Sequence, residues 1–123
     1  MERSQKSIRI LKTLLKQGAS KMTDQLRQEI EKDIQNNKVV IFMKGTIDQP
    51  MCGFSGRAVQ ILQSYSVPVK GHNILADEQL RQGIKEFTNW PTIPQIFING
   101  EFVGGADIIA EMHENGELAS LLK

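Results

Sequence analysis

The sequence predicts one α/β domain in which a four-stranded mixed sheet is flanked by helices. Two observations predict this class. Along residues 23–123, segments with apolar residues at helical spacing alternate with short β-forming runs. The last two runs also flank Asn99-Gly100, the pair favoured by a type I′ hairpin. A length of 123 residues suits one compact core rather than two.

The first half of this domain predicts a helix, a strand and a second helix. Apolar residues four apart within 24–37, after the capping candidates Thr23 and Asp24, indicate an amphipathic helix. The apolar run KVVIFMKG indicates a strand that is covered on both faces and lies centrally in the sheet. After the polar loop TIDQP, the helical period returns over residues 52–66.

The second half adds three strands and the remaining helices. The run VPVKGHNIL indicates a strand, and residues 77–87 a helix that opens at Asp77. This strand, helix, strand order predicts a parallel pair with a right-handed crossover. The segment QIFINGEFVGG indicates the hairpin, and residues 106–123 one or two short helices broken near Gly116.

Composition narrows the classes of function. A formal net charge of +1 gives no electrostatic argument for binding nucleic acid. No apolar run approaches the ~20 residues that span a bilayer, so we expect no membrane segment. With a single cysteine, an internal disulfide framework is impossible, and a reducing compartment is expected.

Residues 1–22 differ from the rest and are treated apart from the domain at 23–123. The first 21 residues hold six Lys or Arg against one acidic residue, Glu2. This basic, serine-containing, amphipathic pattern is typical of a mitochondrial targeting segment. An additional helix or an extension without a targeting role is the alternative.

The one cysteine, Cys52, is expected at the start of a helix. Free N–H groups and the helix dipole favour a thiolate there. Lys44 ends the preceding strand and supplies a nearby cation, and the Ser55 hydroxyl is a further donor. The alternative is an inert, buried cysteine, which the polar loop before Cys52 argues against.

Two further stretches are candidates for ligand contact. Pro94 stands directly before a strand, and its preceding bond is a candidate cis peptide. Gly105, Ala106 and Asp107 start a helix, where a ligand carboxylate and ammonium would be accommodated. Each signal is weak alone, and the second also fits an ordinary turn from strand to helix.

Taken together, the motifs are specific. The strings FMKGTIDQPMCGFSGRAVQIL, LRQGIKEF and NWPTIPQIFINGEFVGG, followed by ADI, closely resemble the monothiol glutaredoxins of the CGFS class over about residues 24–123. The resemblance implies a thioredoxin-like (glutaredoxin) fold and glutathione as ligand. It also implies site roles, all given in this numbering: Lys44 and Arg81 for the glycine-end carboxylate, the backbone of Ile93 before cis Pro94 for the peptide, Gly105, Ala106 and Asp107 for the γ-glutamyl end, and Cys52 beside the glutathione sulfur.

The resemblance further implies an iron–sulfur function. A [2Fe–2S] cluster is commonly held by four thiolates. Two Cys52 thiolates and two glutathiones would complete that number in a homodimer. The family suggests a cluster carrier that works with assembly and recipient proteins and with a BolA-like partner. The likeness of HENGEL and VPVKGHNIL to mitochondrial members favours the mitochondrial matrix, with the cytoplasm as alternative.

Two other functions would use the same residues. One is a monothiol, glutathione-dependent oxidoreductase, and the other is an iron-status sensor. Many members of the family that this chain resembles have a cysteine at this position, whereas this chain has Ala106. Cys52 therefore lacks an internal resolving partner and needs a second glutathione. The TIDQP insertion is associated in the family with poor turnover, so at most weak enzyme activity is expected.

Several other residues have simpler interpretations. His72 and His113 are 41 residues apart in the sequence, without metal-ligand spacing, and are interpreted as surface or interface residues. Trp90 is expected to fix its loop by packing. Phe54 either shields the sulfur or faces the core. Lys85 is interpreted as solvated surface.

Overall fold

The computed structural model describes residues 23–123 as four strands and five helices in the order α-β-α-β-α-β-β-α-α. The prediction for residues 1–22 lies outside the described residues. The elements are α1 (Asp24–Asn36), β1 (Val39–Met43), α2 (Gly53–Gln63), β2 (Val69–Asn73), α3 (Glu78–Thr88), β3 (Gln95–Ile98), β4 (Glu101–Gly104), α4 (Ala106–Asn115) and α5 (Glu117–Leu121).

The four strands form one mixed sheet in the order β2-β1-β3-β4. Strand β1 runs parallel to β2 and antiparallel to β3, and β3 pairs antiparallel with β4. All five residues of β1 are buried, because β1 has a strand on each side and helices above and below it. The predicted central position of KVVIFMKG and the parallel pair are therefore confirmed.

Helices cover both faces of the sheet, as a strand buried on both sides requires. Alternate side chains of β1 enter two separate cores. Ile41 packs with residues of α2, α4 and α5, whereas Phe42 packs with residues of α1 and α3. The predicted α/β class, with the sheet between two layers of helices, is confirmed.

Local signals explain several element ends. The Thr23 hydroxyl accepts a hydrogen bond from the Leu26 amide at 3.0 Å, and the Asp77 carboxylate accepts one from Leu80 at 3.1 Å. These are the N-caps of α1 and α3. Gly116, at φ +87°, separates α4 from α5, so the predicted break is confirmed.

The predicted hairpin joins β3 to β4. Asn99 and Gly100 have φ values of +54° and +84°, as both central residues of a type I′ turn require.

Among the described residues, no helix is long and apolar enough to cross a membrane.

Candidate functional site

A cavity of about 470 Å³ opens beside Cys52, where α2, α3, α4 and the loop before β3 meet. It brings together residues that are far apart along the chain. Every residue to which the resemblance gave a role at the site borders it, and further residues complete its wall, whereas Ser55 is buried and lies outside the lining. The lining consists of Lys44, Cys52, Phe54, Arg81, Lys85, Trp90, Pro91, Thr92, Ile93, Pro94, Gly105, Ala106, Asp107 and Ile108.

A tight turn after β1 brings the chain back so that Lys44 and Cys52 become neighbours. Gly45 bridges Pro50 across this turn, and the Met51 amide donates to the Lys44 carbonyl at 2.9 Å. The Gly45 amide donates to the Asn73 side chain at 2.9 Å, which ties the base of the turn to the end of β2. The TIDQP segment is therefore a closed turn that fixes the thiol relative to the lysine.

Cys52 is the N-cap residue of α2, so the first amides of the helix face its sulfur. The backbone N–H of Ser55 is the largest cause that lowers the pKa of Cys52, and partial burial opposes it. The Phe54 N–H, the Ser55 hydroxyl and the Lys44 charge lower this pKa further. A lowered pKa means a larger thiolate fraction, which is the form that binds metal and attacks disulfides.

Alkylation kinetics test this electrostatic environment. We expect the rate of Cys52 alkylation by iodoacetamide to rise with pH and to reach its plateau at lower pH than for an ordinary thiol, because the thiolate is the nucleophile. Cys52 is the chain's one cysteine, so the rate reports this thiol alone. The urea-unfolded chain is the control, and equal midpoints for folded and unfolded protein would contradict the lowered pKa.

Two backbone segments form another part of the cavity wall. The Ile93–Pro94 peptide bond is cis, so that prediction is confirmed. Gly105 precedes the first residue of α4 and approaches Pro94 so closely that a Cβ on Gly105 would lie 3.2 Å from the Pro94 carbonyl oxygen. The N-terminus of α4, with its free N–H groups, therefore adjoins the proline loop, and Asp107 lies in its first turn.

The charges around the cavity are unequal. Among the lining residues, Lys44, Arg81 and Lys85 are cationic and Asp107 is anionic. Arg81 lies 3.9 Å from Glu78 through Nη1, whereas its Nε is buried and has no hydrogen-bond partner within residues 23–123. A buried donor without an acceptor is costly. The arrangement therefore suits a ligand that brings carboxylates to the arginine side and an ammonium to Asp107.

Three large apolar side chains near Cys52 in the sequence or in the cavity lining are exposed to solvent. Met51 is 70% exposed, Phe54 62% and Trp90 38%. Of the two positions weighed for Phe54, the structure has the one beside the sulfur and outside the core. Trp90 borders the cavity and also packs edge-on against Phe102, with ring centroids 5.8 Å apart. The expected packing contact is therefore present, and its effect on the loop stays a prediction.

Sequence reasoning missed two parts of the site. Lys85 borders the cavity instead of being simple solvated surface, and its position four residues after Arg81 on α3 was a usable signal, because such residues share a helix face. Gln95 is fully buried beneath the proline loop. No sequence pattern indicated that burial, since it depends on how the loop closes.

The two histidines lie outside the cavity wall and make packing contacts. His72 stacks on Phe42 with ring centroids 4.8 Å apart, and its Nε2 lies 2.7 Å from the Asp33 carboxylate. Burial lowers the pKa of His72, although the nearby Asp33 charge opposes this. His113 is hydrogen-bonded to the Tyr65 hydroxyl through Nδ1. His72 thus contacts both α1 and β1, and His113 joins α4 to the turn that follows α2.

Comparisons with known proteins agree with this geometry. The family model described as Glutaredoxin matches residues 39–103. Monothiol glutaredoxin-5, mitochondrial, of Schizosaccharomyces pombe is 49% identical over 117 residues, which cover 93% of this chain and 80% of that protein. Monothiol glutaredoxin-S15, mitochondrial, of Arabidopsis thaliana is 52% identical over 101 residues, which cover 82% of this chain and 60% of that protein.

Solved structures show the same fold. The solution structure of reduced poplar apo GrxS14 superposes with a TM-score of 0.70 at 52% identity and covers 77% of this chain and 87% of that one. The described fold is therefore shared with a relative of high identity.

Proposed function

The chain belongs to the glutaredoxin family, among its monothiol members, and from this premise we propose that it is a glutathione-dependent carrier of [2Fe–2S] clusters. It binds the cluster in a homodimer through Cys52 and glutathione, and passes it to apoproteins. The observation that carries the proposal is the position of the chain's single thiol at the edge of a cavity whose charges suit glutathione.

The cavity fits glutathione by charge and by hydrogen bonding. Lys44 and Arg81 bind the glycine-end carboxylate, and the buried Arg81 Nε without a partner supports this role because a carboxylate would satisfy it. The backbone of Ile93 pairs with the peptide. Asp107 faces the ammonium.

The γ-glutamyl end is held at the start of α4. Gly105 and Ala106 present the free N–H groups of the helix N-terminus, which favour a carboxylate. Pro94 closes the side of the cavity next to Gly105. In this arrangement the glutathione sulfur lies beside Cys52.

The number of thiolates requires a second chain and free glutathione. Within residues 23–123, no group of three or more His, Cys, Asp or Glu is arranged to hold a metal ion. A [2Fe–2S] cluster commonly takes four thiolates. Two Cys52 thiolates from two chains and two glutathione thiolates supply them, and the cluster is then cargo that leaves by ligand exchange.

Reconstitution tests this function. Purified protein is incubated without oxygen with iron, sulfide and glutathione, and its visible absorption is measured. We expect a coloured protein whose colour is lost when glutathione is withdrawn. Protein that stays colourless, yet reduces a glutathione mixed disulfide, would contradict the carrier function and favour the oxidoreductase.

The oxidoreductase is the second candidate, and the lowered pKa of Cys52 favours it. A Cys52 thiolate can attack the glutathione sulfur of a mixed disulfide and release the other thiol. Ala106 provides no resolving thiol, so a second glutathione completes the cycle. An iron-status sensor remains a third use of the same ligands.

Replacing Lys44 tests the glutathione site. We expect Lys44→Ala to raise the Kd for glutathione about tenfold, because one charge-assisted hydrogen bond to a carboxylate is lost. Lys32→Ala removes the same charge from the exposed surface of α1 and is the matched control. Equal affinities in the two variants, measured by titration calorimetry, would contradict the role of Lys44.

The cellular context is also part of the proposal. The mitochondrial relatives from Schizosaccharomyces pombe and Arabidopsis thaliana support the mitochondrial matrix, although relatives that are named chloroplastic are about as similar. The partners would be an assembly protein that supplies the cluster, recipient apoproteins and a BolA-like protein.

A further inference from the structure

The loop between α3 and β3 supplies a large part of the cavity wall. Trp90, Pro91, Thr92, Ile93 and Pro94 all border the cavity. The backbone conformation of this loop therefore determines the shape of the wall. The polar side chains that hydrogen-bond to this loop, those of Thr88 and Gln95, are not part of the cavity lining.

Gln95, the first residue of β3, makes the main polar contacts to this loop. Its side-chain nitrogen donates to the Trp90 carbonyl at 2.9 Å and to the Thr92 carbonyl at 3.2 Å. Both N–H groups of the carboxamide are thereby used. The carbonyls can only accept, so the chemistry of the contacts fixes which end of the amide faces the loop.

Thr88, the last residue of α3, completes the arrangement. Its hydroxyl proton has two acceptors within reach: the side-chain oxygen of Gln95 at 2.8 Å and the Ile84 carbonyl at 3.1 Å. The same hydroxyl oxygen accepts from the Trp90 amide at 3.1 Å. The loop is therefore tied both to the end of α3 and to the start of β3.

We propose that Gln95 and Thr88 are positioning residues that hold the Trp90–Pro94 loop in its ligand-binding shape. They touch the loop from beneath, whereas the cavity wall does not include them. With the carbonyls of Trp90 and Thr92 turned toward Gln95, the backbone that presents Ile93 is fixed. This inference rests on the proposed glutathione site, and it assigns to the pair an effect on affinity that acts through the loop.

Two variants and two matched controls test the pair. Gln95→Glu places a carboxylate against two carbonyls, and Thr88→Val keeps the shape of the side chain without its hydroxyl. The control Gln63→Glu makes the same chemical change at an exposed position on α2. Thr88→Ser keeps the hydroxyl and should restore the contacts.

Trp90 gives a readout that needs no ligand. It is the chain's single tryptophan and is 38% exposed, so acrylamide quenching of its fluorescence reports how closely the loop is held. In the full chain we expect Gln95→Glu and Thr88→Val to roughly double the quenching constant, because loops with fewer hydrogen bonds open more readily. We also expect both to raise the Kd for glutathione about tenfold.

The outcomes test the positioning role separately from the proposed function. Wild-type affinity and quenching in both folded variants would overturn the positioning role, as would Thr88→Ser with the defect of Thr88→Val. A lower Tm with unchanged affinity and quenching would make the pair merely structural and would equally overturn it. Wild-type protein that binds no glutathione would contradict the proposed function, and the quenching comparison would still decide the contacts of the loop.

Discussion

Cys52→Ser is expected to abolish cluster binding, with visible absorption after reconstitution falling to that of a protein-free blank. Cys52 is the chain's one cysteine, so the variant has no thiolate for the cluster. A serine hydroxyl is a poor replacement because cluster iron is held by thiolates. Reduction of glutathione mixed disulfides should disappear as well, since it needs the same nucleophile.

The fold of this variant should persist. Cys52 is the N-cap residue of α2, and serine is among the preferred residues at that position. The Tm therefore serves as the internal control and should be unchanged or slightly raised. A folded Cys52→Ser protein that still takes up a full complement of iron and sulfide would contradict the role of Cys52.

Gly45→Ala is expected to have the second-largest effect, on both stability and cluster binding. Gly45 has φ +91°, and an added Cβ would lie 2.5 Å from the Gln49 carbonyl oxygen and 2.6 Å from the Met51 nitrogen. An L-residue in such a conformation is strained, and the collision involves backbone atoms. We expect a loss of about 2 kcal/mol or more in the free energy of unfolding.

The same change should alter the turn that brings Lys44 to Cys52. Gly53→Ala is the matched control, because it lies next to Cys52 and an added Cβ there meets nothing within 4 Å. Urea denaturation measures the free energy of unfolding, and reconstitution measures cluster uptake in the folded fraction. If Gly45→Ala matched Gly53→Ala in both measurements, the turn would not have the role assigned to it.

The fold was predictable where a local signal decided the structure. The apolar run KVVIFMKG predicted a buried central strand, and all five residues of β1 are buried. The Asn99-Gly100 pair predicted a type I′ turn, and both residues adopt the positive φ that such a turn requires. Helix ends were predicted within about one to three residues, which is the usual uncertainty for frayed ends.

The site was less predictable because it joins elements that are distant along the chain. Cys52 and Lys44 follow from local reasoning, since one turn connects them. Arg81 was predicted only through resemblance to the family, whereas residues 105–107 were a weak candidate by themselves and received their specific role from that resemblance. The structure brings all of them to the same cavity. The role of Gln95 was not predicted, because its side chain acts through the carbonyls of Trp90 and Thr92. The positions of these carbonyls depend on the folded loop.

Native mass spectrometry of the reconstituted protein tests the central claim most directly, because it counts chains, glutathiones and cluster atoms in one particle. The account predicts a complex of two chains, two glutathiones and one [2Fe–2S] unit that is absent from Cys52→Ser. A cluster-bearing particle that contains a single chain, or a dimer that keeps its cluster without glutathione, would contradict it.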